Sequence, residues 1–326
     1  MGIGLLLMVN GALLAGAFLA IEVAFRRSGI PFRAEWTPSE TAIARFDSVL
    51  GWSYVPDRSV TQAIGDTTWD IHFDASGIRV PCQGCVLSDT TPSVLFIGDS
   101  FVMGHGLPYE QTFVGRIAGT SGFPFQAVNL GVQAYGTDQS YLALTRYLHR
   151  FNTKAVVYTF IVLHVQRNGI YDQRMLSPRA RYVGTKPRFT LDRHGNLQLD
   201  RLPVTYDRYH TSYLRDFVTM RAGPLVGAFP PFPERLTARL IEAMRDSCAA
   251  AGVPFMVFHW RWKPTDYGAL FEGLDVDRID VLEGAPREWD KMFIPGDGHP
   301  DAAASAHAAD LLLRHFRARG LMESGV

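Results

Sequence analysis

Apolar residues gather in short blocks along this chain, and the blocks alternate with longer amphipathic stretches. The clearest block is 93–97, where Val94, Leu95, Phe96 and Ile97 run together and stop at Gly98-Asp99-Ser100. A continuous apolar run of this length, closed by a Gly-Asp turn, predicts a strand buried on both faces. Segments 127–130, 155–163 and 254–259 repeat the pattern. Between and after them, 111–118, 138–150, 233–251 and 301–319 predict helices; Leu142, Leu144 and Leu148 supply the apolar side of the second. Strands alternating with helices predict an α/β fold with a parallel sheet covered on both faces.

Three stretches depart from this rhythm. Residues 3–25 carry a single charge, Glu22, and are long enough to cross a bilayer as a helix. No small-residue cleavage site with a polar flank closes the run, which predicts a retained anchor over 1–29. Residues 30–90 are mixed, with Trp36, Trp52, Trp69 and several turn signals, and read as a short-strand extension packed on the edge of the main sheet, ahead of the main domain over 91–326. Residues 166–232 are rich in Arg, Tyr and Pro and exceed an ordinary connection between a strand and a helix. Within them, His194-Gly195-Asn196 between two alternating segments predicts a hairpin, and the whole reads either as a cap beside a site or as a structural insertion.

The 32 basic and 32 acidic residues cancel, which removes any electrostatic case for a nucleic-acid partner. Arg26, Arg27 and Arg33 follow the apolar run and nothing basic precedes it, so the positive-inside rule places the main domain in the cytoplasm; a basic segment ahead of Met1 would reverse that. Three cysteines make no disulfide framework. Cys82-Gln-Gly-Cys85 is half of a zinc site without a second pair, and leaves a local disulfide and two free thiols both open. Cys248 lies in a helical pattern as a small buried residue.

A serine at the carboxyl end of a buried parallel strand stands where open α/β sheets place their chemistry. Far along the chain, Pro295-Gly-Asp297-Gly-His299-Pro300 puts an acid and an imidazole in one turn. Gly98-Asp99-Ser100-Phe101, then Asn129-Leu-Gly131, then Asp297-Gly-His299-Pro300, in that order, resemble the SGNH/GDSL hydrolases, a family of esterases and acyl-transfer enzymes. Segments 50–57 and 73–79 are similar to those of SGNH proteins associated with exopolysaccharide clusters. The resemblance implies a flavodoxin-like three-layer α/β/α sandwich, an extracytoplasmic domain and no cofactor or metal.

It also implies roles. Ser100 would be the nucleophile, His299 the general base, and Asp297 the acid that orients the imidazole. Many family members space the last two as Asp-x-x-His, whereas here Gly296 holds the position three before the histidine. In the oxyanion hole, Ser100 would offer its backbone N–H. The family's Asn-x-Gly-x-x-Gly ends here in Ala134, whose N–H survives the change. The side-chain donor falls to Asn168, with His164 as the alternative. His164, Arg167 and Trp260 are candidates for substrate contact, Trp260 also reading as core; His105, close after the nucleophile, reads as a loop residue, with a place in the pocket wall as the alternative. The expected function is hydrolysis or transfer of an O-acyl group, O-acetyl above all, on a carbohydrate or polysaccharide, with the membrane as the other partner. The alternatives are a catalytically idle SGNH domain that binds glycan or assists polysaccharide assembly, and a lipid esterase.

Overall fold

The computed structural model describes residues 2–31, 43–64, 67–177, 182–209, 211–226, 233–262 and 268–323; Arg33 and Trp36 lie outside them. The chain opens with helix α1 (Gly2–Ser28), none of whose residues is buried. At 27 residues it is long and apolar enough to cross a membrane. A hairpin of β1 (Ala44–Asp47) and β2 (Gly51–Tyr54) follows, then β3 (Ser59–Ile64), β4 (Thr67–Phe73) and β5 (Arg79–Val80). Next come β6 (Pro92–Gly98), the single-turn helix α2 (Ser100–Met103), α3 (Phe113–Ala118), β7 (Gln126–Gly131), α4 (Thr137–Tyr147), β8 (Asn152–Phe160) and α5 (Leu163–Asn168). The insertion contributes β9 (Arg188–Leu191), β10 (Leu197–Arg201) and α6 (Tyr213–Val226). Helix α7 (Pro233–Ala250), β11 (Phe255–His259), β12 (Asp277–Asp280) and α8 (Ala302–Ala318) complete the chain.

Eight strands form one sheet in the order β12-β11-β8-β6-β7-β5-β4-β3. The first five are parallel. Numbered among themselves they run 5-4-3-1-2, the flavodoxin-like order, whose connections diverge on either side of the first strand, β6. The expected sandwich is therefore present, with an addition: β5 pairs antiparallel with β7 through Arg79 and Asn129, and extends the parallel sheet into the antiparallel β5-β4-β3. The N-terminal extension thus continues the main sheet.

Period-two alternation in β6 assigns the layers. Val94 and Phe96 face Phe113, Val114 and Ile117 of α3 and Ala308, Leu312 and Phe316 of α8. Leu95 and Ile97 face Leu144 of α4 and Ile241, Met244 and Cys248 of α7. Both faces are dry, which is why β6 reads as an unbroken apolar run. Asp301 caps α8 by accepting the N–H groups of Ala303 and Ala304.

Helix α1 is tied to the insertion by a cap supplied from outside. The Glu22 carboxylate accepts the backbone N–H of Tyr213 and of Leu214 at the start of α6, at 3.0 and 2.9 Å. Arg26 reaches the carbonyl of Thr211 and lies 5.1 Å from the Tyr213 ring centre, and Phe25 packs edge-on against Phe217. The only charge in the apolar run therefore satisfies two of the orphan donors that begin every helix. Cys82 and Cys85 are joined in a disulfide, which settles the alternatives left open by their spacing.

Candidate active site

The carboxyl end of β6 lies where the connections diverge, and β6 runs directly into α2 through Asp99, the N-cap residue, whose side chain accepts the N–H of Phe101. Ser100 is the first residue of the helix and does not cap it, so its hydroxyl is not consumed by the backbone. Asn129 holds the opposite side of the site. Its amide donates to the carbonyl of Val102 at 2.8 Å while its Oδ1 accepts the N–H of Gly131, locking β7 against α2. Gly131 has no room for a side chain: a Cβ there would stand 2.2 Å from the Met103 nitrogen.

The C-terminal turn delivers the acid and the base. Gly298 N–H donates to the Ile294 carbonyl, and Ile294 N–H to the His299 carbonyl. Gly296 and Gly298 both occupy the left-handed region, at φ 77° and 85°. Within that turn Asp297 Oδ1 lies 2.5 Å from His299 Nδ1 and also accepts the His299 backbone N–H at 3.2 Å. The two-residue spacing is thus short enough for one carboxylate oxygen to hold both groups. His299 Nε2 lies 2.8 Å from Ser100 Oγ, across 199 positions of sequence. Burial alone would raise the Asp297 pKa, but the imidazoles of His105 and His299 beside it hold it well below the usual carboxylate range.

A cavity of about 240 Å³ opens over Ser100 and His299. Ala134 lines it with φ at +61°, the left-handed conformation that glycine adopts freely and alanine does not. Its carbonyl accepts from Gln173, and among the described residues neither its N–H nor that of Ser100 donates a hydrogen bond within the protein. Two unspent N–H groups therefore border the nucleophile, the arrangement an oxyanion needs.

Arg167, a candidate for substrate contact, also lines the cavity. Three other sequence-based assignments are corrected. Asn168 is completely buried, and its amide nitrogen donates to the hydroxyls of Thr137 and Thr237, so it has no N–H left for a substrate. His164 is equally buried, with Nδ1 2.8 Å from the Tyr158 hydroxyl and Nε2 3.4 Å from Asp99. Burial lowers its pKa, against the pull of the Asp99 carboxylate. Trp260 is fully buried against Phe101, Phe113 and Phe258 and belongs to the core.

Other side chains take part, His105 among them in the alternative that its position allowed, in the pocket wall and not only in a loop. His105 stands in the cavity with Nδ1 2.8 Å from the Gln133 amide nitrogen and Nε2 3.7 Å from Asp297 Oδ2. Asp297 is therefore flanked by two imidazoles. Trp52 and Tyr54 of β2 and Tyr182 of the insertion complete the walls. Only the position of His105, five residues after Ser100, offered a local signal. His105, Asp297 and His299 bring three ligand atoms within 4.8 Å of one another. Both His299 nitrogens are already engaged by Asp297 and Ser100, so a cation bound there would compete with the serine.

No family model and no curated protein matches the sequence. Solved structures similar to the chain include members of the SGNH/GDSL family that its motifs resemble. One is TesA, 14% identical, covering 69% of this chain and 98% of that one with a TM-score of 0.41. Others are the psychrotrophic esterase EstA from Pseudoalteromonas (10%, 72% and 100%, TM-score 0.40) and AlinE4, an SGNH-hydrolase family esterase (12%, 72% and 99%, TM-score 0.36). The chemistry is carried by the site's own geometry, not by this likeness.

Proposed function

We propose that this protein is a serine esterase or acyl transferase that acts on O-acyl groups, O-acetyl in particular, of a carbohydrate or polysaccharide. The carrying observation is the unbroken chain from Asp297 through His299 to Ser100 Oγ, with both bonds at hydrogen-bond length and two unspent N–H groups beside the serine. Ser100 Oγ attacks the ester carbonyl carbon and passes its proton to His299 Nε2. Asp297 keeps the Nδ1–H tautomer in place and balances the imidazolium charge. The carbonyl electron pair moves onto oxygen, facing the N–H groups of Ser100 and Ala134. Collapse of that intermediate expels the alcohol oxygen, which takes the proton from His299. Water or a second sugar hydroxyl then attacks the acyl-serine, and the same groups run in reverse.

Trp52, Tyr54 and Tyr182 support a carbohydrate reading, since aromatic ring faces in a cavity wall suit the apolar faces of a sugar. Helix α1 supports attachment to a membrane. The Cys82–Cys85 disulfide supports an oxidising, extracytoplasmic side for the domain. The test is acetate release from an O-acetylated polysaccharide by the full-length chain in detergent micelles, beside Ser100→Ala. Release abolished by the substitution is expected. Background release in both refutes a serine esterase and leaves a transferase that demands its own donor, or the idle glycan-binding domain.

A further inference from the structure

We propose that Arg167 supplies the third donor of the oxyanion hole, a charged guanidinium in place of the neutral asparagine amide that the family resemblance called for. The inference rests on the esterase reading and assigns a catalytic residue within it. Arg167 Nη1 donates to Asp99 Oδ2 at 2.7 Å and to the carbonyl oxygen of Tyr135 at 2.9 Å. Asp99 immediately precedes Ser100, and Tyr135 immediately follows Ala134. One nitrogen therefore bridges the two backbone segments that carry the unspent N–H groups, and the guanidinium stands beside both.

A guanidinium has five N–H donors in a fixed fork. The two on Nη1 have these partners, whereas Nε and Nη2 make no hydrogen bond among the described residues. The Arg167 side chain is 12% exposed and lines the same cavity as Ser100 and His299. Its neighbour Asn168 faces the other way. Consecutive residues on a helix do not share a face, so Arg167 turns to the cavity while Asn168 turns to Thr137 and Thr237.

Asp99 acquires a role from this geometry. Fully buried, it holds the guanidinium rather than any reacting group, and it balances the cation before substrate arrives. As Ser100 Oγ bonds to the carbonyl carbon, the carbonyl π pair becomes the oxyanion lone pair, and the free edge of the fork donates to it. When the oxyanion reforms the carbonyl, the bond to the leaving alcohol breaks and the contact weakens. Charged donors make hydrogen bonds about twice as strong as neutral ones, and a donor already fixed by Asp99 and Tyr135 needs no reorganisation.

The experiment measures kcat and KM for p-nitrophenyl acetate with the full-length chain in detergent micelles. The variants are Ser100→Ala, Arg167→Lys, Arg167→Ala and Asn168→Ser, with thermal midpoints taken in parallel. Arg167→Lys keeps a cation for Asp99 but loses the fork; its kcat is expected to fall about 100-fold or more with KM nearly unchanged, the scale for one lost oxyanion donor. Added guanidinium ion is expected to restore part of the Arg167→Ala rate, a readout that a merely structural role would not move and that remains informative if Arg167→Lys folds poorly. Asn168→Ser is expected to lower the midpoint and leave kcat near that of the wild type. Wild-type kcat in Arg167→Lys, no rescue by guanidinium, or a kcat loss in Asn168→Ser as large as that in Arg167→Lys would overturn the assignment while the esterase reading stands. Absence of Ser100-dependent hydrolysis in the wild type would overturn the esterase reading, and the assignment would fall with it.

Discussion

Replacing Ala134 with glycine should stabilise this protein without slowing it. Ala134 is held at φ +61°, and a residue with a Cβ in that region carries a strain of about 1–2 kcal/mol. Glycine removes the strain, but its greater freedom in the unfolded chain offsets about 0.5–1 kcal/mol of the gain. The net expectation is a stabilisation of about 0.5–1 kcal/mol, which for a chain of this size raises the thermal midpoint by about 1–3 °C. The backbone N–H that borders Ser100 is present in both forms, so kcat should not change. Ala134→Val should move the midpoint the other way, because a β-branched residue tolerates this conformation least. Differential scanning calorimetry beside steady-state kinetics on the same three proteins checks both halves. A lower midpoint for Ala134→Gly would refute the strain argument; a large loss of kcat would show that the Cβ, not the N–H, is what the site uses.

Four further outcomes follow from the same geometry. Asp99→Asn leaves the Arg167 cation without its buried partner and should destabilise by about 3–5 kcal/mol in denaturant titration, the usual scale for breaking a buried pair. Burial alone would raise the Asp99 pKa, but His164 and Arg167 hold it below the unfolded value. Its stabilisation is therefore complete above about pH 4 and lost as the pH falls through the lower folded value, an acid dependence that Asp99→Asn should lack. Reducing the Cys82–Cys85 disulfide opens a four-residue loop at the surface and should cost no more than about 2 kcal/mol, read as a small midpoint shift with kcat intact. Glu22→Gln removes the charged cap of α6 and should increase proteolysis within 211–226 at unchanged kcat, by a local loss of about 1 kcal/mol.

The parallel sheet was legible because its strands are buried on both faces. The runs 93–97, 127–130 and 254–259 match β6, β7 and β11 to within about two residues. The run 155–163 overshot, since β8 ends at Phe160 and Leu163 already begins α5; apolar residues continue through the turn, so hydropathy alone marks no boundary. Strand β12 escaped notice because Asp277, Arg278 and Asp280 flank its only buried residue, Ile279, at the edge of the sheet. The antiparallel strands β5-β4-β3 continue the sheet past β7 through a single pairing of Arg79 with Asn129 that no local pattern announces.

The site was legible as motifs and less so as geometry. Ser100, His299 and Asp297 meet because strand and turn chemistry place each one. The side-chain donor expected beyond β8 fell on Asn168, which is buried, while its neighbour Arg167 lines the cavity; one residue on a helix is about 100° of rotation, enough to exchange a core amide for a cavity guanidinium. His105, Trp52 and Tyr182 reach the cavity through tertiary packing of three separate segments. Trp260, one residue past β11, follows the strand into the core where the sequence also allowed a substrate contact.

The central claim is that Ser100 is an activated nucleophile. Intact-mass analysis of the full-length chain after a fluorophosphonate pulse tests it most directly. The account predicts one adduct on the wild type, mapped to Ser100, absent from Ser100→Ala and formed far more slowly in His299→Ala. An unlabelled wild type, or an adduct that persists in Ser100→Ala, would contradict it.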